Sequence, residues 1–177
     1  MKSIAFSVPI YKYKVENWNT KKKQLLNLFD NFDSKIIGNV ITSPSDIRTN
    51  IFLDEIKLFE KEIGIDFYHN ITIWFQKYEQ SMNHAVHIHG ATGFSSVCFI
   101  EYNEENHKST VFVSPFGNCV TGTLERYSPE VEEGDIIFFP SNLLHYVPTN
   151  LSNEVRTVAS FNLYIKNIES ICEMSYN

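Results

Sequence analysis

The stretch "GDIIFFPSNLLHYVPTN", residues 134–150, decides the fold predicted for this chain. Gly134 precedes a strongly apolar run, Pro140 ends that run, and His145 follows after a short turn, where a second strand is expected to begin. A histidine at this place either caps the strand end through backbone hydrogen bonds or points inward as a ligand. The stretch therefore predicts a strand, a turn and one histidine whose role is open.

A second histidine-rich stretch, "NHAVHIHG" at residues 83–90, is also predicted to be a strand. Residues i and i+2 of a strand point to the same face, so His87 and His89 are predicted to project together, with His84 and Ile88 on the opposite face. Such a pair offers two metal ligands, whereas a first-row metal needs at least a third from elsewhere in the fold. His145 is the candidate for that third ligand.

The hydrophobic pattern changes at Phe67 from a helical period to a period of two. Short strand-like runs follow at residues 67–78, 84–90, 94–102, 109–114, 135–139, 144–148 and 156–166. Seven short strands with turn-rich separators are typical of a sandwich, a jelly roll or a barrel. The chain from Phe67 onward is therefore predicted to be all β.

Two helices are predicted before that point. Thr20 is a candidate N-cap for a helix over residues 21–32, whose apolar side chains fall on one face. A second helix starts near Phe52, and Gly64 is placed to end it. The segment 35–50 between them is rich in turn-forming residues and is predicted to be a loop.

The chain opens with a run of aromatic and β-branched residues at 4–15, which predicts a strand. Pro9 would place that strand at a sheet edge or a bulge. We expect one domain over residues 1–177, in which a helical support at about 20–64 packs on the outer face of a β-barrel core at about 67–166.

Charge and composition exclude several classes of function. The net charge of −6 comes from scattered acidic residues and the one basic run lies at residues 21–23, so a nucleic-acid duplex is not expected as a partner. The chain has neither a membrane-spanning apolar run nor an N-terminal stretch of signal-peptide type, so we expect a cytoplasmic protein with no membrane partner. Cys98, Cys119 and Cys172 lack CxxC spacing and are predicted to be buried thiols.

Arg156 opens the last apolar strand, in "EVRTVASFNLYI" at residues 154–165. An arginine that faces a barrel interior is costly unless an anion pairs with it, so Arg156 is a candidate clamp for a ligand carboxylate. The alternative is a surface ion pair with an acidic residue such as Glu154. Ser96 and Asn162 could hydrogen-bond a ligand from inside the barrel, or could satisfy each other there.

Together these motifs resemble a known family. The motifs are His87 and His89, then "GFSSVCFIEY" at 93–102, Phe139-Pro140-Ser141, His145, Arg156 and Ser160-Phe161-Asn162. Over about residues 70–165 they resemble the iron(II)- and 2-oxoglutarate-dependent oxygenases, and more narrowly a small subgroup seen in marine bacteria and their phages. The resemblance implies a mainly β fold with N-terminal helices, built on a double-stranded β-helix (a jelly-roll, cupin-like barrel).

The resemblance also implies an activity and roles for single residues. Fe(II), 2-oxoglutarate and O2 would together hydroxylate a small-molecule or protein substrate. His87 and His145 would be iron ligands, and Arg156 would grip the distal carboxylate of 2-oxoglutarate. Ser96 and Asn162 would be the further cosubstrate contacts.

One position departs from the superfamily pattern, which places Asp or Glu two residues after the first histidine, where this chain has His89. Either His89 is itself the third ligand, or a carboxylate such as Glu101 or Asp135 reaches in, or the site lacks a third protein ligand. We favour His89, because its placement beside His87 comes with the strand. The substitution keeps two other functions open: a three-His cupin-type dioxygenase without a cosubstrate, and a non-enzymatic metal- or ligand-binding β-barrel.

Overall fold

The computed structural model describes residues 7–43 and 47–168. The start of the strand predicted over 4–15, and Cys172, lie outside these residues. The elements are, in chain order, β1 Tyr11–Lys14, α1 Trp18–Asp30, β2 Lys35–Ile37, β3 Val40–Thr42, β4 Ile47–Arg48, α2 Leu53–Ile63, β5 Thr72–Tyr78, β6 His84–His87, β7 Phe94–Glu101, β8 Val111–Gly117, β9 Leu124–Tyr127, β10 Asp135–Pro140, β11 His145–Val147 and β12 Arg156–Leu163.

The strands form two antiparallel sheets. The major sheet has the order β1-β10-β7-β12-β5-β3-β2, with the short β4 also paired to β5, and the minor sheet has the order β6-β11-β8-β9. Strands far apart in the chain are therefore neighbours, as in a jelly roll. The sheets face each other as a double-stranded β-helix with the helices on the outer face of the major sheet, which confirms the predicted fold class.

Strand alternation sorts the side chains into two cores. Along β12, Ala159 and Phe161 pack with the helices in a helix-side core, whereas Val158 faces the space between the sheets. That inner space holds the barrel core, to which Phe112 of the minor sheet and Phe139 of the major sheet both contribute. Each fully buried phenylalanine stabilises the fold by about 1.5–3 kcal/mol, so the two cores hold the sheets in register.

Both predicted helices form, although α1 begins and ends earlier than the predicted 21–32. α1 begins after Asn17, which has a left-handed backbone (φ 52°) and no side-chain cap, so the N-cap predicted at Thr20 is wrong. The Thr20 amide instead bonds to the Asn17 carbonyl within the first turn, at 3.0 Å. Gly64 ends α2 with φ 71°, as predicted. A buried ion pair of 2.9 Å between Lys21 and Glu55 joins the two helices.

The segment 35–50 was predicted to be a loop and forms strands instead. Gly38 (φ 62°) allows a tight hairpin between β2 and β3, and β3 then pairs with β5, with Thr42 opposite Gln76. Tertiary pairing has overridden the turn-rich local composition. The hairpin makes β2 one edge of the major sheet.

Two composition-based expectations can be compared with the fold. Cys98 is buried, as predicted, whereas Cys119 is exposed in the turn between β8 and β9. Neither helix within residues 7–43 and 47–168 has the length and apolarity needed to cross a membrane.

Candidate metal centre

His87, His89 and His145 come together on the inner side of the barrel. His145 on β11 is the direct cross-strand partner of His87 on β6. The available ligand atoms of the three side chains all lie within 4.8 Å of one another. Nitrogens around one first-row ion are separated by about 3–3.5 Å. Small side-chain rotations are therefore enough for the three imidazoles to share an ion.

Two of these histidines have a defined tautomer. The Nδ1 atom of His87 lies 2.7 Å from the Ala85 carbonyl oxygen, and that of His145 lies 2.8 Å from the Leu143 carbonyl oxygen. A carbonyl oxygen can only accept, so each Nδ1 carries the proton and donates it. The Nε2 lone pair is left free in both rings, which is the usual arrangement of metal-ligating histidines.

His89 is held differently. Its backbone N–H donates to the Ser141 carbonyl oxygen at 2.9 Å, but its ring has no hydrogen bond to any described residue. The ring is stacked on the indole of Trp74 (centroids 5.6 Å apart, planes 24° apart) and on the His145 ring (5.1 Å, 7°). Aromatic contacts therefore fix its orientation.

Burial keeps the imidazoles of His89 and His145 neutral. Desolvation, reinforced by the neighbouring histidines, lowers the pKa of His89 to about 4 and that of His145 to about 3. The neutral ring is the form that binds a metal. At neutral pH neither side chain has to lose a proton before it can act as a ligand.

His84 was predicted to point away from the other histidines, and this prediction is wrong. The β6–β11 ladder contains a bulge: His145 pairs with His87, but Val147 pairs with His84. The extra residue returns His84 to the inner face. Its ring stacks on that of His87 at 4.3 Å, and its Nδ1 accepts a hydrogen bond of 2.8 Å from Gln76 Nε2. It is not part of the three-histidine group.

Neither carboxylate considered as a third ligand reaches this group. Glu101 accepts a hydrogen bond from the Thr157 hydroxyl, and Asp135 pairs with Lys14 at 2.9 Å. Across the described parts of the chain, the histidine trio is the one set of three or more His, Cys, Asp or Glu side chains close enough to hold an ion together. The structure therefore offers three imidazole nitrogens and no carboxylate.

Arg156 lies deep inside the same barrel. Only 2% of its surface is exposed, and its guanidinium carbon lies 5.3 Å from the ring centroid of Tyr78, 5.7 Å from that of Phe99 and 5.9 Å from that of Tyr102. None of its three nitrogens has a hydrogen-bond partner among the described residues. Desolvation lowers its pKa, which shows that the environment disfavours the charge.

The predicted alternative partner, Glu154, is engaged elsewhere. Its two carboxylate oxygens accept hydrogen bonds from the side-chain amides of Asn103 (2.9 Å) and Asn106 (3.1 Å). A buried guanidinium without a partner is costly, since breaking a buried ion pair by removing one partner costs about 3–5 kcal/mol. An anionic ligand with two acceptor oxygens would supply the partner that the Arg156 guanidinium lacks.

The two polar candidates are on opposite faces of the sheet. Ser96 is opposite Phe138 and Phe161, so its hydroxyl points into the helix-side core and the structure does not bring it to the site. Asn162 is on the inner face, where its Oδ1 accepts a hydrogen bond of 2.9 Å from the hydroxyl of Ser95. Because β7 is buried on both faces, its sequence alone does not show that Ser95 rather than Ser96 is the inward serine.

Ser95 belongs to a small network beneath His89. Because its hydroxyl donates to Asn162, the Ser141 hydroxyl must donate to Ser95, across 2.9 Å. The Ser141 carbonyl in turn accepts the His89 backbone N–H. No sequence pattern indicates this network, which supports the backbone of His89.

Two clefts open on the inner face of the major sheet and share Trp74 as a wall. One, of about 540 Å³, is lined by Lys35, Ile37, Thr42, Trp74, Gln76 and His84. The other, of about 340 Å³, is lined by Asn70, Thr72, Trp74, Asn162 and Tyr164 among others. The indole that stacks on His89 therefore borders open space in both clefts.

The family model for 2OG-Fe(II) oxygenases matches residues 72–162 of this chain. The matched segment is just over half of the 177 residues and contains the histidine trio and Arg156. The chain belongs to this family. Its members are iron(II)- and 2-oxoglutarate-dependent, and the residues here fit both groups: three converging imidazoles for iron, and an unpaired buried guanidinium for a carboxylate of 2-oxoglutarate.

Solved structures of other oxygenases share this fold. An oxidoreductase of the 2OG-Fe(II) oxygenase family from Burkholderia pseudomallei has a TM-score of 0.66 at 12% identity, over 87% of this chain and 83% of that one. HygX from Streptomyces hygroscopicus, with nickel, 2-oxoglutarate and hygromycin B bound, has a TM-score of 0.65 at 9% identity, over 88% of this chain and 82% of that one. A Pseudomonas putida prolyl-4-hydroxylase has a TM-score of 0.61 at 9% identity, over 91% of this chain and 95% of that one. No curated protein sequence matches the chain.

Proposed function

We propose that this oxygenase is a hydroxylase whose iron is held by His87, His89 and His145 and whose 2-oxoglutarate is anchored by Arg156. The observation that carries the proposal is the buried guanidinium without a partner, inside the same barrel as the histidine trio. A buried, unpaired guanidinium lowers the stability of the protein. This cost is explained if a carboxylate of 2-oxoglutarate binds to the guanidinium.

The bound iron and 2-oxoglutarate supply the oxidising chemistry, in which O2 is consumed, 2-oxoglutarate becomes succinate and carbon dioxide, and one oxygen atom enters a substrate C–H bond. The chain supplies three neutral ligands, which leave other metal positions open. Compared with a site of two histidines and a carboxylate, His89 makes the centre one charge more positive. Such a centre favours a dianionic cosubstrate.

Arg156 orients the cosubstrate. Its planar fork of donors can bind both oxygens of one carboxylate. The rings of Tyr78, Phe99 and Tyr102 exclude water around the guanidinium, and electrostatic attraction is stronger where water is excluded. Burial raises the pKa of Tyr78 and Tyr102, so both stay neutral phenols and do not compete as anions for the arginine.

The first test is an anaerobic titration of the metal-free protein with Fe(II) and then with 2-oxoglutarate, followed by visible absorption. The charge-transfer band of a keto acid chelated to iron is expected with wild-type protein. It is expected to need far more 2-oxoglutarate in Arg156→Ala, but not in a control with an exposed arginine removed, Arg126→Ala. Iron binding without a band in wild type would contradict the proposal and favour the cupin-type chemistry without a cosubstrate.

Hydroxylation itself is tested by oxygen labelling. Two structural neighbours suggest probes, because one is a prolyl-4-hydroxylase and another holds hygromycin B. Incubation under labelled O2 with proline-containing peptides and with hygromycin B should give a product heavier by one labelled oxygen atom if either is accepted. A product of unchanged mass would indicate rearrangement, as in the epimerase SnoN of nogalamycin biosynthesis, which shares the fold with a TM-score of 0.66.

A further inference from the structure

The three histidines of the trio are not supported in the same way. His87 and His145 each donate from Nδ1 to a backbone carbonyl two residues earlier, which fixes both ring orientation and tautomer. The His89 ring has no such bond within the described residues, and the major sheet contacts it through the Trp74 indole, stacked at 5.6 Å, and through Phe139, edge-on at 6.5 Å. A ligand ring without a hydrogen bond depends on packing for its orientation.

Trp74 is itself held firmly. It lies in the middle of β5, opposite Ser160, and its neighbours Ile73 and Phe75 are fully buried in the helix-side core. Alternation along the strand therefore turns the Trp74 side chain to the inner face. A substitution at this position would leave the outward anchors of the strand in place.

We propose that Trp74 is a positioning residue that completes the three-histidine centre by stacking on His89. The planes of the two rings differ by 24° and their centroids are 5.6 Å apart, within the range of favourable aromatic pairs. His89 is also stacked on His145, at 5.1 Å and 7°, so two stacked aromatic rings set its orientation. The inference rests on the proposed function, because it takes His89 as a metal ligand.

The alternative role for Trp74 is that of a cleft wall or core residue. The indole lines both clefts beside the trio, so a substrate would also contact it. A pure wall or packing role affects substrate binding or stability but leaves the metal affinity unchanged. Metal affinity in the absence of any substrate therefore separates the two roles.

The experiment measures Co(II) affinity of the metal-free protein by calorimetry in wild type, Trp74→Phe and Trp74→Leu, with visible absorption of bound Co(II). Leucine removes the ring and should weaken binding roughly threefold to tenfold, which is what one aromatic pair is worth. It should also shift the Co(II) bands. Phenylalanine keeps a ring and should restore both values to near wild type.

A double-mutant cycle with His89→Ala tests whether the effect passes through this ring. If Trp74 acts by positioning His89, adding Trp74→Leu to His89→Ala should weaken Co(II) binding no further. An equal loss in both backgrounds, or wild-type affinity in Trp74→Leu, overturns the inference while leaving the proposed function intact. Wild-type protein that binds no Co(II) overturns the proposed function, and the inference with it.

A fluorescence measurement keeps the inference testable if Trp74→Leu fails to fold. The chain has two tryptophans, and Trp18 packs against the helix-side core. In Trp18→Phe, the remaining emission comes from Trp74, and Co(II) should quench it strongly with the same midpoint as calorimetry. In Trp74→Phe, the Trp18 emission should change little. Absence of quenching in Trp18→Phe would show that the indole is not beside the bound metal and would overturn the inference.

Discussion

The guanidinium of Arg156 lies over the ring of Tyr78, with 5.3 Å between its central carbon and the ring centroid, and the two residues are directly paired across the β12–β5 ladder. Burial on this face removes the arginine from water without supplying a hydrogen bond. The charge is therefore kept at a cost in stability, which has a measurable consequence.

Arg156→Met should stabilise the metal-free protein. Methionine fills a similar space without the desolvated charge, and replacing buried ionic groups by apolar ones can stabilise a protein by about 1–4 kcal/mol. The same variant should bind iron but lose most of its 2-oxoglutarate affinity. Urea unfolding measures the stability of the variant, and the anaerobic titration measures its affinity for 2-oxoglutarate. A less stable variant that still binds 2-oxoglutarate tightly would contradict both expectations.

Removal of either cross-strand histidine should abolish tight metal binding. His87→Ala and His145→Ala each delete a ligand nitrogen, so the loss should exceed the roughly 10- to 100-fold cost of changing an outer-sphere partner. His84→Ala is the matched control, because His84 stacks on His87 but is outside the trio. Calorimetry with Fe(II) under anaerobic conditions distinguishes the three. Similar affinities in all three variants would rule out this ligand assignment.

His89→Asp should restore the ligand set of the wider superfamily. The carboxylate replaces one neutral imidazole and so lowers the net charge of the metal centre by one. We expect Fe(II) still to bind and the 2-oxoglutarate charge-transfer band to form at a shifted wavelength, whereas His89→Ala should bind Fe(II) more weakly. If the Asp and Ala variants behave alike in the anaerobic titration, position 89 does not face the metal.

Ser95→Ala and Ser96→Ala form a matched pair of adjacent residues on opposite faces. Loss of the Ser95 hydroxyl leaves the buried Ser141 hydroxyl without its acceptor and should destabilise the fold by about 1–2 kcal/mol. The Ser96 hydroxyl is buried without a partner among the described residues, so its removal should be neutral or stabilising. Thermal unfolding measures the order of stability, and the reverse order would contradict the assigned strand parity.

Much of the site could be predicted from sequence because it depends on short-range patterns. His87 is the last residue of β6 and His89 lies just beyond it, so within the strand predicted at 84–90 only His87 is placed by strand geometry. The strand-turn-histidine order at residues 134–150 likewise places His145 through local geometry. Gly64 ends α2 for the same reason, since a left-handed residue after a helix favours glycine. These features need no knowledge of which strands pair.

The parts that were missed depend on pairing between distant segments. The β2–β3 hairpin forms because β3 pairs with β5, and nothing in the local composition of residues 35–50 indicates that partner. Ser96 was favoured over Ser95 because the parity of β7 becomes definite only when Ile137 and Ser160 are known to flank Val97. The inward turn of His84 likewise depends on a bulge against β11.

That bulge has a consequence for comparing related sequences. The surplus residue lets His84 and His87, three positions apart, share the inner face, which a regular strand allows only at an even separation. In an alignment, a deletion at Ala85 or Val86 would therefore remove the bulge and keep the fourth imidazole on the inner face, whereas a regular strand with the present spacing would turn it outward. The spacing of these histidines, as well as their identity, is the feature by which members of this family should be sorted.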